Sequence, residues 1–262
     1  MSKYDKYFVF DEPIPYKKLL IYPVKIKYYM EFLYLSSCLL LEKNSIKDPI
    51  IAVKAISMSY MEYLFMVSND ENRLILLFDG LLRLVLNKVE DKEFEISYEY
   101  GEDKKPLFKI GNETYNSEDF NNLREIISEQ NSLSLPDEKI QKEVREKMEE
   151  ARRFKERLNK NKTASFEELI MALSLYTGWE LSKIYDMTIR KFSMALQRAN
   201  HMVMSTIYLT ASMSGFVTFK DKSILKGWLS DLEEKDKYKD VTMSLDSITK
   251  KVSGEEAKEN KK

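Results

Sequence analysis

The residues able to do chemistry are few, and they are scattered. His201 is the only histidine and Cys38 the only cysteine. A metal cluster of several histidines therefore cannot be assembled, and a histidine-activated nucleophile is not expected. His201 lies beside Met202, Met204 and Ile207, a setting that suits a structural residue. Cys38 sits in the run Ser-Ser-Cys-Leu-Leu-Leu, with no basic residue nearby to lower its pKa, and reads as an inert core thiol. Neither G-x-G-x-x-G nor G-x-x-x-x-G-K-[ST] occurs, so nucleotide phosphates have no visible cradle. Carboxylates are plentiful, and an all-carboxylate magnesium site leaves too weak a sequence signature to be judged by inspection. The expectation is a protein without catalytic residues, cofactor or metal, which works by binding.

Two groups of side chains could make a binding surface. Thirteen methionines are many for this length, and Met194 and Met204 fall on a long helical segment, off its inward-facing row. Methionine is flexible and polarisable, which suits a surface that accepts a loosely defined apolar partner, although the same residues also serve as core filling. Further upstream, Val144, Ala151 and Leu158 recur every seven residues. Ile140 and Phe154 stand on the complementary seam and Lys147 interrupts it. That pattern fits either a partner-binding coiled-coil segment or a solvated linker helix. The candidate partner-binding residues are Met194, Met204, Val144, Ala151, Phe154 and Leu158.

A DNA-binding alternative rests on a helix-turn-helix imitation. Leu173 to Tyr176, the turn Thr177-Gly178-Trp179, and Glu180 to Leu196 would place Arg190, Lys191 and Arg198 near a reading helix. Against it, Ile189, Phe192, Leu196 and Ala199 make a core-facing stripe, and Glu180 and Asp186 put acid at the approach. The 42 basic and 43 acidic groups leave a net charge of -1, which argues against a dedicated nucleic-acid or membrane-surface binder. One cysteine permits no internal disulfide and fits a reducing compartment. The opening MSKYDKYFVFDEPIP lacks the pattern of a signal peptide, and no stretch is apolar for the length a spanning helix needs.

These groups need a scaffold, and seven glycines and six prolines leave long runs for helix. The sequence predicts a mainly α fold: helical lobes, a small inserted β-hairpin, a charged connecting helix and a disordered C-terminal tail. Residues 1–23 read as an aromatic, proline-containing arm with extended backbone. Residues 24–135 read as an N-terminal helical lobe with a β-hairpin at 93–115. Its helices are expected at about 25–42, at 49–67 with Asp48 as cap, at 71–87, and at 117–130 capped by Asn116 or Ser117. Residues 136–162 read as the charged connecting helix. A C-terminal helical domain spans 163–232, opened by the capping box Ser165 to Glu168. Gly178 stops its first helix, Thr188 caps a long one that Gly215 ends, and a last helix carries Trp228. Ile189, Phe192, Leu196, Ala199 and Val203 should face inward on the long helix, with Met194, Met204 and Ser205 off that row. Residues 233–262 are charged and too poor in apolar groups to pack, and are read as largely disordered.

Several phrases resemble proteins from the tail-gene clusters of tailed bacteriophages, particularly tail assembly chaperones and baseplate-hub assembly proteins. They are Ile56-Ser-Met-Ser-Tyr60, Asp119-Phe-Asn-Asn-Leu-Arg-Glu-Ile-Ile127, Met187-Thr-Ile-Arg-Lys-Phe192 and Ser212-Met-Ser-Gly-Phe-Val-Thr-Phe-Lys220. The resemblance implies a protein that binds the tape-measure protein or another tail component in the bacterial host cytoplasm, with self-association as a further option. A structural tail or baseplate component of the virion is the alternative it leaves open. The chain departs from the compact chaperones in being longer, and the resemblance transfers no residues.

Overall fold

The computed structural model describes residues 3–43, 49–68, 73–136 and 164–219, together with Lys147, Glu150, Ala151, Phe154, Gly227 and Leu229. The chain divides into two compact units, Met1–Glu138 with Ser165–Trp228, and Lys139–Ala164 with Leu229–Lys262. In the second, Lys147, Glu150, Ala151 and Phe154 are helical and exposed. The rest of the charged segment, Asp48, the helix placed around Trp228 and the C-terminal tail lie outside the described residues.

The first unit is mainly helical, with two small antiparallel sheets. It begins where an extended arm was expected. Asp5–Phe10 forms a helix (α1), and Ile14–Tyr16 (β1) pairs with Leu19–Ile21 (β2) in the register Ile14 to Ile21. Lys17 turns this hairpin with φ of 50°, in the left-handed region. The prolines do hold short extended stretches, but Ile14 and Ile21 are fully buried, so the segment is part of the core. Burial of two branched apolar residues outweighs the strain of one lysine in a left-handed turn.

Ile26–Tyr28 and Ser36–Leu39 are tight helical turns flanking a helix at Tyr29–Leu35 (α2). The single helix expected from 49 to 67 is two, Pro49–Ser57 (α3) and Tyr60–Ser68 (α4). Ser59 breaks it by capping. Its hydroxyl accepts from the Glu62 amide at 3.2 Å, and the Glu62 carboxylate accepts from the Ser59 amide at 2.6 Å. Arg73–Val85 (α5) packs on α2 so closely that a Cβ on Gly80 would lie 2.7 Å from Leu35 Cδ2.

The expected hairpin is present as Ile96–Tyr100 (β3) and Pro106–Ile110 (β4), with Glu113–Tyr115 (β5) as the third strand. Ser117–Gln130 (α6) follows, and its capping box joins Asn116 to Asp119. The sheet meets the helices through aromatic contacts. Phe78 lies 5.6 Å from Phe108 and 4.7 Å from Phe120, and Tyr60 stacks on Phe120.

Phe166–Thr177 (α7) opens on the Ser165 and Glu168 capping box and ends at Gly178, whose φ is 70°. Leu181–Asp186 (α8) leads into Ile189–Met213 (α9), capped by Thr188. Residues read as separate lobes share one core here. The Ile26 amide donates to the Met187 carbonyl, the Ile189 amide to the Val24 carbonyl, and Val24 donates to Asn131 Oδ1. Among the described residues no helix is long and apolar enough to cross a membrane.

Candidate partner-binding surface

Helix α9 carries the surface that stands out. Its 25 residues make a rod of about 37 Å. The Thr188 hydroxyl fixes its start, accepting from the Lys191 amide and donating to Asp11. Ile189 and Phe192 are buried, and Phe192 meets the edge of Phe166 at 5.9 Å. Leu196 and Ala199 are partly buried against the same core. Steps of three and four keep these residues on one face, and the next two steps along that row are Val203 and Ile207. Both are exposed, at 40% and 52%. The core-facing row of α9 thus runs on beyond the body that covers it.

A second row, on another side of the helix, takes the chain's return. Gly215 reverses the backbone with φ of 71°, Phe219 meets Tyr208 edge-on at 5.8 Å, and His201 Nε2 donates to the Gly227 carbonyl at 3.1 Å. A carbonyl can only accept, so the imidazole carries its proton on Nε2 in this arrangement. This row buries Ser205 and half-buries Met204.

The expected site residues therefore part company. Met194 is off the core row and 51% exposed. Met204 is half-buried, Ser205 is buried although expected off the packed row, and Val203 is exposed although expected inward. The reason is that periodicity names a face, while the extent of the neighbouring body decides how far along it burial reaches. Ala151 and Phe154 are exposed in the second unit, Phe154 at 61%. Val144 and Leu158 lie outside the described residues. Ile207, Met171 and Leu175 were not singled out in the sequence. The last two stand one turn apart on α7 and are 43% and 81% exposed.

Two of the three basic residues of the helix-turn-helix reading are engaged by the body itself. Arg190 donates to the Glu129 carbonyl at 3.0 Å and lies over the Phe8 ring, and Lys191 pairs with Asp11 at 2.7 Å. Internal acids are likewise occupied. Asp119 accepts from Tyr16, Lys17 and its own cap residue, Asn116. Burial alone would raise its pKa, but those three donors outweigh it and hold the carboxyl below the usual range. Tyr16 is pushed up to about 12, by burial and then by Asp119. Asp79 accepts from the Tyr98 hydroxyl, and burial pushes its carboxyl up despite Tyr98 and Arg83. Cys38 is buried, and its thiol is pushed up to about 12 by that burial. Among the described residues no group of histidine, cysteine, aspartate or glutamate is arranged to hold a metal ion.

A family model described as YomV second domain matches residues 159–233, less than a third of the chain. The match takes in α7, α8 and α9, the elements that carry the exposed row. No curated protein and no solved structure matches the chain. The matched domain is phage-associated, and it suggests a phage protein.

Proposed function

We propose that the chain is a non-enzymatic bacteriophage assembly protein whose task is to hold another protein, as a chaperone of the tape-measure protein or another tail component. The observation that carries this reading is the continuation of α9's core row into exposed Val203 and Ile207. An apolar row at three- and four-residue spacing is the surface on which an amphipathic helix docks. Exposed Met194 supplies an adaptable apolar contact on another side of the same helix. Two further observations favour binding over catalysis or DNA reading. The internal carboxylates Asp119 and Asp79 are spent on structural hydrogen bonds, and Arg190 and Lys191 are spent on the protein's own body.

The test is co-expression with candidate tail proteins, the tape-measure protein first, followed by purification on a tag carried by this chain. Co-purification that is lost in Ile207→Glu supports the reading. Association that ignores this substitution places the docking surface elsewhere. Stoichiometric presence of the chain in purified virions would select the structural alternative over the chaperone.

A further inference from the structure

The three-stranded sheet ends on one side in a strand with an open edge. In the order β3-β4-β5, β3 pairs only with β4, in an unbroken register from Ile96 with Ile110 to Tyr100 with Pro106. Just beyond that register the Gly101 amide donates to the Lys105 carbonyl. Bonded and non-bonded pairs alternate along an antiparallel ladder, so Glu99 with Leu107 and Ser97 with Lys109 exchange the bonds to β4. Pro106, which has no amide to give, accordingly stands at a non-bonded pair. The backbone amides and carbonyls of Ile96, Tyr98 and Tyr100 therefore point away from β4, and none of them has a hydrogen-bond partner among the described residues.

Side chains hold this strand in place from one face. Tyr98 donates to Asp79 on α5, and Phe65 on α4 meets the rings of Tyr98 and Tyr100 edge-on at 5.4 and 6.4 Å. Ser97 and Glu99 alternate onto the other face and are exposed. β3 has no proline, no bulge and no charge on its packed face, which are devices that keep an edge from pairing. Its sequence is also complementary to itself. Two copies turned antiparallel about Tyr98 oppose Ile96 to Tyr100 and Tyr98 to Tyr98 on the packed face, and Ser97 to Glu99 and Glu95 to Gly101 on the exposed one. Branched and aromatic residues pair favourably there, and no like charges meet head-on. A slip of two residues either way would set Glu99 against Glu99 or Glu95 of the second copy, and a slip of one would put the bonding groups out of phase. Glu99 is already paired with Lys109 at 2.7 Å, which lessens repulsion from the acids lying diagonally across.

We propose that the outer edge of β3 takes the same edge of a second copy of this chain. The two strands pair about a two-fold axis at Tyr98 and join the two sheets into one. The outward amides of Ile96, Tyr98 and Tyr100 in each copy donate to the outward carbonyls of Tyr100, Tyr98 and Ile96 in the other. A single strand of five residues makes a small interface, so the dimer exchanges reversibly with the monomer. The pairing does not depend on what docks on the α9 row.

The test is analytical ultracentrifugation of the full chain over a concentration series reaching several hundred micromolar. A monomer–dimer equilibrium is expected. Ser97→Glu meets Glu99 of the second copy twice across the axis and should weaken the dimer about tenfold. In its own copy position 97 is exposed and faces Lys109, so the fold should be untouched. Ser97→Lys reverses the sign of the contact with Glu99 and should tighten the dimer several-fold. Thr114→Glu, at an exposed position of β5 on the opposite edge of the sheet, should leave it unchanged. A monomer at every concentration overturns the proposal. So does a dimer that ignores both Ser97 variants or shifts the same way in both, and so does an equal loss in Thr114→Glu, which would move the contact to the other edge.

Discussion

The hydroxyl of Tyr16 donates a 2.7 Å hydrogen bond to Asp119, 103 positions further along the chain. Lys17 adds a 2.6 Å ion pair to the other carboxylate oxygen. Asp119 thus closes the capping box of α6 and anchors the turn of the N-terminal hairpin with the same side chain. Because its folded pKa is depressed, its contribution is present above the unfolded value and is lost as pH falls through the folded one. The expected outcome is a melting temperature that drops below about pH 4, near the reference value of an unfolded aspartate. Asp119→Asn should melt lower than the parent at pH 7 and show a flatter profile on the acid side. Parallel profiles for the two proteins would mean that Asp119 does not provide the linkage.

Asp79 has the opposite sign. Burial raises its folded pKa, so the charged form is disfavoured and stability is lost as pH rises from the unfolded value through the folded one. Asp79→Asn keeps an acceptor for Tyr98 and removes the buried charge. It should melt higher than the parent at pH 7, with the difference closing below about pH 4. Thermal melts across pH decide this, and a lower melting temperature at neutral pH would mean that the charge itself is needed.

Phe192→Ala removes a buried ring that packs on Phe166 and should cost about 3 to 5 kcal/mol in urea unfolding. Ile207→Glu, on the same row of α9 but exposed, should stay within about 0.5 kcal/mol of the parent. Comparable losses in both would show that the row is covered along its whole length.

Cys38 is expected to resist Ellman's reagent in the native protein at pH 8 and to react at once in denaturant. Burial raises its thiol to about 12, and the sulfur donates to the Leu35 carbonyl. Fast native labelling would mean that the segment around Ser36–Leu39 opens readily.

What could be read in the sequence was local. The capping residues Asn116 and Ser165, the stop at Gly178 and the start at Thr188 declare themselves within four residues, because a cap is satisfied by its own helix. The break between α3 and α4 had the same kind of signal in Ser59 and Glu62, but a continuous apolar pattern ran across it. The N-terminal hairpin had none. Lys17 is an unusual residue for a left-handed turn, and the pairing of Ile14 with Ile21 is decided by a core built from residues much further along. The row on α9 was legible as far as Ala199. The exposure of Val203 and Ile207 depends on where the rest of the body stops, which no spacing within the helix encodes.

The seam between Val24 and Ile189, with Lys25 bridged to Thr188, has a consequence for synthesis. The ribosome emits the first side of that seam long before the second. At about 5 to 20 residues per second the wait is roughly 10 to 30 s, and only afterwards can the Val24 carbonyl and the Ile26 amide find their partners. During that interval the apolar residues destined for the shared core have part of their final cover still inside the ribosome. A nascent chain stalled just upstream of Thr188 would present an open edge and unburied leucines and phenylalanines. Truncated products of that length should be prime clients for the host's own holdases.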